Sequence, residues 1–139
     1  MTNKPINIEK VFNKLKKENE FELVYNKGSA IISGDKKIKA NYFLKSDTEN
    51  KNIKIGLSIS SNKGNSVWRN KIKRLIREAI RLNRETLLST LEQKNANLFI
   101  IFSPHSINQT NNKKIFLKDI KASVLDIITR LKNKLVPAI

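Results

Sequence analysis

The stretch from Ser66 to Leu91 constrains the fold most, because its apolar residues recur at the spacing of an α-helix. Wound at roughly 100° per residue with Arg69 as the origin, most of them fall within an arc of roughly 220° to 300°, and Ile76 lies near 340°. The residues in the arc are Trp68, Ile72, Leu75, Ala79 and Leu82. The spacing predicts one long amphipathic helix over residues 66–91, and its apolar flank needs a second layer to pack against.

Strand-like segments elsewhere in the chain supply that layer. They are residues 29–33, 37–45, 52–60 and 97–103. In the third segment, isoleucine and leucine at alternate positions put one apolar face on the predicted strand. The fourth segment is apolar almost throughout, as expected of a strand that is buried on both faces.

Two further helices complete the predicted order of elements. Residues 19–27 have Asn19 as a candidate cap, Glu22 at the capping-box position and Gly28 as a stop. Residues 113–135 carry an apolar stripe, made of Phe116, Ile120, Val124, Ile127, Leu131 and Leu135. The order αβββαβα predicts an α+β fold, an α/β sandwich in which helices pack on a four-stranded sheet.

The second flank of the long helix is basic. Between Arg69 and Arg84 there are seven basic residues, five of them arginine, and one acid, Glu78. All the basic residues except Lys71 fall between roughly 0° and 140° on the wheel. A solvated helix surface usually mixes charges at i, i+4, whereas this flank has almost no acids to pair with.

The whole chain shares this excess, since 28 Lys and Arg against 12 Asp and Glu give a net charge of +16. Such an excess indicates a polyanionic partner, and the arginine fork suits bidentate contact with phosphate. We therefore predict nucleic acid as the partner. A lysine-rich composition without function and a helix lying on an anionic membrane are the weaker alternatives.

Several classes of protein are disfavoured. The chain has no Cys, and its longest apolar run, residues 98–102, is too short to span a bilayer, so we expect a soluble cytoplasmic protein with no membrane partner. The single His105 lies in a polar loop, and no residues have metal-ligand spacing. We predict no catalytic residue and no metal site, and one domain over residues 1–139, with residues 1–14 as either a frayed helix or an arm.

The segment ISSNKGNSVWRNKIKRLIREAI at 59–80 resembles the signature of the bacterial ribonuclease P protein component. The matching positions are Ser60, Gly64, Val67, Arg69, Asn70, Lys73, Arg74, Arg77 and Glu78. The segment LKKENEFELVYNKG at 15–28 is similar to the family's opening helix. Ser61, Asn62 and Lys71 depart from the family pattern, and residues 30–40 do not align.

The resemblance implies a left-handed crossover from strand 3 through the arginine-rich helix to strand 4, like the second domain of the fifth small-subunit ribosomal protein. Physical reasoning alone favours the right-handed connection. The resemblance also implies a protein subunit of ribonuclease P that assists 5′ maturation of precursor tRNA. Its implied partners are ribonuclease P RNA and precursor tRNA, with no obligatory protein partner. Hydrolysis is then carried by the RNA, using Mg²⁺ bound mainly by that RNA.

Two binding surfaces follow from the resemblance. The first, here called the basic strip, contacts the catalytic RNA and consists of Arg69, Asn70, Lys71, Lys73, Arg74, Arg77 and Arg81. The second, the leader cleft, lies between the first helix and the sheet and binds single-stranded 5′ leader. Its residues are Lys16, Lys17, Phe21, Tyr25 and Tyr42, with Phe43 as the alternative to Tyr42 on strand 2.

Two other interpretations compete with this one. Aromatic residues at the spacing of Phe21 and Tyr25 are more often core than binding site, if the sequence is considered without the resemblance. A structural RNA-binding protein of ribosomal type would share the charge and the fold. A nuclease that acts without RNA is a more distant alternative.

Overall fold

The computed structural model describes residues 12–15, 17–46, 49, 51–91 and 95–135. Its strands are β1 (Phe12–Lys14), β2 (Ser29–Ile32), β3 (Ile38–Ser46), β4 (Asn52–Leu57) and β5 (Ala96–Pro104). Its helices are α1 (Glu18–Lys27), α2 (Ser66–Leu82), α3 (Arg84–Ser89) and α4 (Leu117–Leu135), with a short 3₁₀ turn at Ser61–Lys63. The predicted α+β fold is confirmed.

The strands form one sheet in the order β1-β4-β5-β3-β2. β1 and β5 both run parallel to β4, whereas β3 is antiparallel to β5 and to β2. The prediction of four strands was one short, because residues 12–14 pair with Ile53–Ile55 of β4. Residues 1–11 lie outside the described residues.

The connection from β4 through α2 to β5 has the left hand that the resemblance implies. Ser58 N–H donates to the carbonyl of Phe102 at 3.0 Å, so the backbone polar groups of Phe102 face β4. The Phe102 side chain lies in the core beneath α2. For an L-residue these two directions place β4 to the right of β5, when viewed from α2 with both strands running upward. The chain therefore crosses from right to left in front of the sheet.

Two apolar layers enclose the sheet. On one face, side chains of β3, β4 and β5 pack against α2 and α4 in the main core. On the other face, α1 covers a smaller cluster built around Leu15, Val24, Phe99 and Ile101. Consecutive residues of β5 alternate between the two layers, which confirms the prediction of a strand buried on both faces.

The predicted long helix is divided at Asn83. This residue is buried, its φ and ψ are −113° and 21°, and its Nδ2 donates to the carbonyl of Ala79 at 2.9 Å. A side chain that bonds its own backbone competes with continued helix, so α2 ends at Leu82. The buried flank is also rotated from the prediction, because Ile80 is buried and Leu82 is 43% exposed.

The ends of α1 differ from the predicted caps. The helix begins at Glu18 rather than after Asn19, and no side chain caps it. Gly28 is extended, with φ of −85°, rather than left-handed. A glycine is needed there because a Cβ would overlap the carbonyl oxygens of Tyr42 and Val24.

The last helix begins later than predicted, at Leu117. Residues 115 and 116 precede the helix, with Ile115 buried and Phe116 58% exposed. The prediction that Phe116 belongs to the buried stripe was therefore wrong. The central residues of the stripe, from Ile120 to Leu131, are buried as predicted.

Candidate nucleic-acid interface

Helix α2 is anchored at its first turn, which fixes the direction of the basic strip. The Asn65 side chain accepts a hydrogen bond from Trp68 N–H at 2.9 Å and caps the helix. The buried Trp68 ring donates from Nε1 to the carbonyl of Asn112 at 3.0 Å. Ile72 and Ile76 continue the buried flank. The opposite flank consequently cannot rotate into the core.

The basic strip is mostly open to solvent. Asn70, Lys71, Arg74, Arg77 and Arg81 are exposed, and Arg69 and Lys73 are half-buried. In the described part of the chain, only Arg81 among the strip cations has an ion pair with an acid. Lys71, Arg74 and Arg77 therefore face solvent with no ion-pair partner among the described residues, which suits a surface that binds a polyanion.

Arg81 is bound to Glu78 on the same helix. Its Nε and Nη2 donate to the two carboxylate oxygens at 2.9 and 2.5 Å. The hydrogen bond from Arg81 lowers the pKa of Glu78, and the same contact raises the pKa of Arg81. Both groups are at the surface, where such pairs stabilise little. Arg81 is thus the strip residue whose charge is already offset.

Arg69 differs from its neighbours in its burial. Its Nε is buried and, within the described residues, has no hydrogen-bond partner. Leaving such a donor unpaired is costly, at about 1–3 kcal/mol. Only part of this guanidinium can therefore meet a ligand directly.

The turn before α2 contains Ser61 and Asn62, which depart from the family pattern, and it is fastened by neighbouring residues. Lys63 Nζ donates to the carbonyl of His105 at 2.6 Å, so this lysine fastens the turn to the β5–α4 loop. Asn65 N–H donates to Gln109 Oε1 at 2.8 Å and closes the contact. Ser61 and Asn62 are exposed beside it. The shape of the turn depends on these contacts rather than on lysines at 61 and 62.

A groove of about 480 Å³ joins α2 to α1 around the β1 edge of the sheet. Lys73, Arg77 and Ile80 line it from α2, and Phe21 lines it from α1. The floor comes from β1 and β4, where a Cβ on Gly56 would come within 2.9 Å of Phe21. The two surfaces predicted separately therefore meet in one groove.

The predicted leader-cleft residues are only partly brought together. Phe21 is half-buried in the groove, Lys17 is exposed just before α1, and Tyr25 is 48% exposed on α1. Lys16 lies outside the described residues. The placement of Tyr42 in this cleft was wrong, because its side chain packs against the main core on the opposite face of the sheet.

Phe43, the next residue of β3, occupies the face that was assigned to Tyr42. Its ring stacks on Phe99 with 6.4 Å between ring centroids. Lys54 Nζ lies 5.7 Å from the centroid of Phe99 and forms an ion pair of 2.7 Å with Glu20 of α1. Phe43 was the predicted alternative to Tyr42. The parts played by Phe99 and Lys54 were not predicted, although the alternation of β4 already places Lys54 on the α1 face.

The described residues contain no group of three or more His, Cys, Asp or Glu side chains arranged to hold a metal ion. His105 is exposed in its loop. Among the described residues, no helix is both long enough and apolar enough to cross a bilayer. The features that remain are a row of cations, a groove and a small aromatic cluster.

Fold and surface together define a small, basic α+β protein of the polyanion-binding class. The sequence matches the ribonuclease P family over residues 10–127. The chain belongs to this family. It is an accessory subunit of the endoribonuclease ribonuclease P, a ribonucleoprotein involved in tRNA 5′ processing, and so has an RNA partner.

Individual relatives agree with this assignment. The ribonuclease P protein component of Alkaliphilus metalliredigens is 32% identical over 120 residues, covering 86% of this chain and 94% of that protein. The component from Clostridioides difficile is 30% identical over 116 residues, covering 84% and 89%. The fold is similar to the RNase P protein of Thermotoga maritima, with a TM-score of 0.65, 18% identity and coverage of 84% and 96%.

Proposed function

We propose that the basic strip binds the catalytic RNA of ribonuclease P along its phosphate backbone. The observation that carries this proposal is that Lys71, Arg74 and Arg77 are exposed on a rigidly anchored helix and form no ion pair with an acid among the described residues. Contacts of this kind fix register and orientation and read little sequence. Folded RNA suits them, because the major groove of its duplexes is too deep and narrow for side chains to read.

The groove beside the strip is the proposed path of the 5′ leader of precursor tRNA. It is supported by Phe21, which lies against Gly56 and lines the same groove as the α2 cations Lys73 and Arg77. An unpaired base stacked on Phe21 would leave its phosphates near those cations, and stacking of this kind tolerates sequence variation. Lys17 extends the cationic surface at the start of α1.

Lys54 has a different role in this proposal. Its charge is already balanced by Glu20 at 2.7 Å, and both side chains are largely buried. Lys54 therefore stabilises the packing of α1 on β4, and the exposed cations are the ones proposed to contact phosphates. The aromatic pair Phe43 and Phe99 supports the same junction.

In this proposal the protein binds RNA in the cytoplasm and does not itself cleave it. The RNA subunit carries out hydrolysis with Mg²⁺ ions, most of which the RNA binds. The protein supplies cations that reduce repulsion between the catalytic RNA and its substrate. No side chain of the protein is assigned to bond cleavage.

Reconstitution with the cognate ribonuclease P RNA tests the proposal. Cleavage of precursor tRNA is measured at low Mg²⁺ with RNA alone, with protein alone and with both. We expect cleavage with both and little with either alone. If adding the protein does not increase cleavage, the proposed assistance is wrong, and cleavage by the protein alone would point to a nuclease of a different kind.

A further inference from the structure

The segment that leads into α4 is a second concentration of positive charge. Within the nine residues 113–121 the lysines are Lys113, Lys114, Lys118 and Lys121, and all are exposed. The one acid of the segment, Asp119, lies 3.9 Å from Lys37 of the β2–β3 turn. The lysines consequently face solvent on a part of the molecule that the basic strip does not include.

Phe116 stands among these lysines and cannot fold back into the core. Ile115 before it and Ile120 after it are both buried, which fixes the backbone on either side. Its carbonyl accepts hydrogen bonds from the N–H groups of Asp119 and Ile120 at 3.1 and 3.4 Å. The ring is 58% exposed, with Lys118 Nζ 6.0 Å from its centroid. An aromatic face with a cation beside it is thus presented to solvent.

The lysine segment is held rigidly to the basic strip. The carbonyl of Asn112, directly before Lys113, accepts the hydrogen bond from Trp68 Nε1 in the first turn of α2. Asn112 N–H donates to the carbonyl of Asn108 at 2.8 Å, which closes the loop. A large RNA bound along α2 could therefore meet this segment without any change in the protein.

We infer that Phe116, Lys113, Lys114 and Lys118 form a second RNA contact, in which an unpaired base stacks on Phe116 and its neighbouring phosphates meet the lysines. The inference rests on the proposed function, because it takes the catalytic RNA as the ligand. A single exposed ring among cations suits an unpaired base, since the bases of a duplex offer no free face. A membrane would require a broad aliphatic face, which this segment does not present.

Substitution of the ring tests the stacking. Phe116→Ala is expected to weaken binding of the cognate ribonuclease P RNA by about 5- to 100-fold, and Phe116→Tyr to stay within about 2-fold of the wild type. The dependence of affinity on salt should be unchanged in both variants, because neither removes a charge. Fluorescence of Phe116→Trp should be quenched when the RNA binds. Wild-type affinity in Phe116→Ala, or no quenching, would overturn the inference.

Removal of the lysines tests their binding to phosphates. The triple variant Lys113→Gln, Lys114→Gln, Lys118→Gln should reduce the slope of log affinity against log salt by about 0.7 for each single-strand phosphate that the lysines no longer neutralise. The matched control removes the same charge elsewhere, at Lys36, Lys132 and Lys134. Equal changes in the two triple variants would show a general charge effect and would contradict local binding by this segment.

Failure of the second RNA contact can be told apart from failure of the proposed function. If wild-type protein stimulates precursor cleavage while Phe116→Ala binds the RNA normally, the proposed function stands and the second contact is wrong. If wild-type protein neither binds nor stimulates the RNA, both are wrong. An acidic protein segment as the true ligand would appear as the first of these results.

Discussion

Phe21 lies where the two binding surfaces meet, since it lies against Gly56 in the groove that Lys73 and Arg77 also line. Phe21→Leu keeps most of the apolar volume and removes the flat ring. We expect binding of precursor tRNA by the reconstituted enzyme to weaken by about 5-fold or more, with mature tRNA little affected, because only the precursor carries a leader. Equilibrium binding of the two tRNAs measures the difference.

The matched control for this prediction is Tyr42→Leu. Tyr42 is also half-buried and aromatic, but its side chain lies on the opposite face of the sheet. Tyr42→Leu should leave the ratio of the affinity for precursor tRNA to the affinity for mature tRNA at the wild-type value. Equal losses for both tRNAs in Phe21→Leu would show that Phe21 acts only in packing.

Gly28 offers a test of packing at a single residue. A Cβ there would overlap two backbone carbonyl oxygens, whereas at Gly34 the nearest atom would be the flexible Arg130 Nη2 at 3.1 Å. Gly28→Ala should lower the free energy of unfolding by about 1–3 kcal/mol, and Gly34→Ala by less than about 1 kcal/mol. Urea denaturation measures both. Equal effects would mean that the α1–β2 junction relaxes easily.

Tyr42 could have been placed correctly from the pattern of β3. The apolar residues Ile38, Ala40, Tyr42 and Leu44 alternate with a second set in which only Phe43 is apolar, so the pattern puts Tyr42 on the main-core face. A shift of one residue exchanges the two faces of a strand, which is why the assignment of the cleft aromatic depended on this alternation. In β4 the alternation is clear, and Ile53 packs in the main core as its pattern predicts.

At the scale of elements, the β2–β3 turn is fastened to α4 through Asp35. Its carboxylate accepts hydrogen bonds from Ser33 Oγ and Ser123 Oγ at 2.6 Å each and from Lys37 N–H at 3.0 Å. Burial raises the pKa of Asp35, but the hydrogen bonds from Ser123 and Ser33 and the N–H and charge of Lys37 outweigh it. The pKa therefore lies below its ordinary value.

The sign of this shift gives a prediction on acid stability. A lowered folded-state pKa contributes stability above about pH 4, and this contribution is lost as the pH falls through the folded-state pKa. Asp35→Asn should lower the free energy of unfolding at pH 7 by up to about 1 kcal/mol and by less at pH 3. Denaturation at the two pH values measures this, with the exposed Glu85→Gln as control. A loss in Asp35→Asn that is the same at both pH values would contradict the assignment.

The order of elements was largely predictable, but β1 and the break at Asn83 were not. Three residues are too few for a periodic signal, and β1 exists because its backbone pairs with β4. The sequence around Asn83 gives no sign that the helix ends there. The break depends on the hydrogen bond from the Asn83 side chain to the carbonyl of Ala79, which only the structure shows. The apolar spacing from Ile120 to Leu131, by contrast, was sufficient to predict the buried side of α4.

At the scale of the whole molecule, a chain with a net charge of +16 is built on one sheet that has an apolar layer on each face. The basic strip and the lysine segment at residues 113–121 are held to each other by the hydrogen bond between Trp68 and Asn112. The backbones that carry these two surfaces are therefore held in a fixed arrangement, and little ordering of them is needed when RNA binds. Such preorganisation reduces the entropic cost of association.

Contact between the basic strip and RNA phosphates is the central claim. The most direct measurement is the salt dependence of affinity for the cognate ribonuclease P RNA in Arg74→Gln, Arg77→Gln, compared with Lys132→Gln, Lys134→Gln. Both double variants remove two positive charges. We predict that the slope of log affinity against log salt falls by about 1.5 in the arginine variant and changes little in the lysine variant. The same slope in the arginine variant as in the wild type would contradict it.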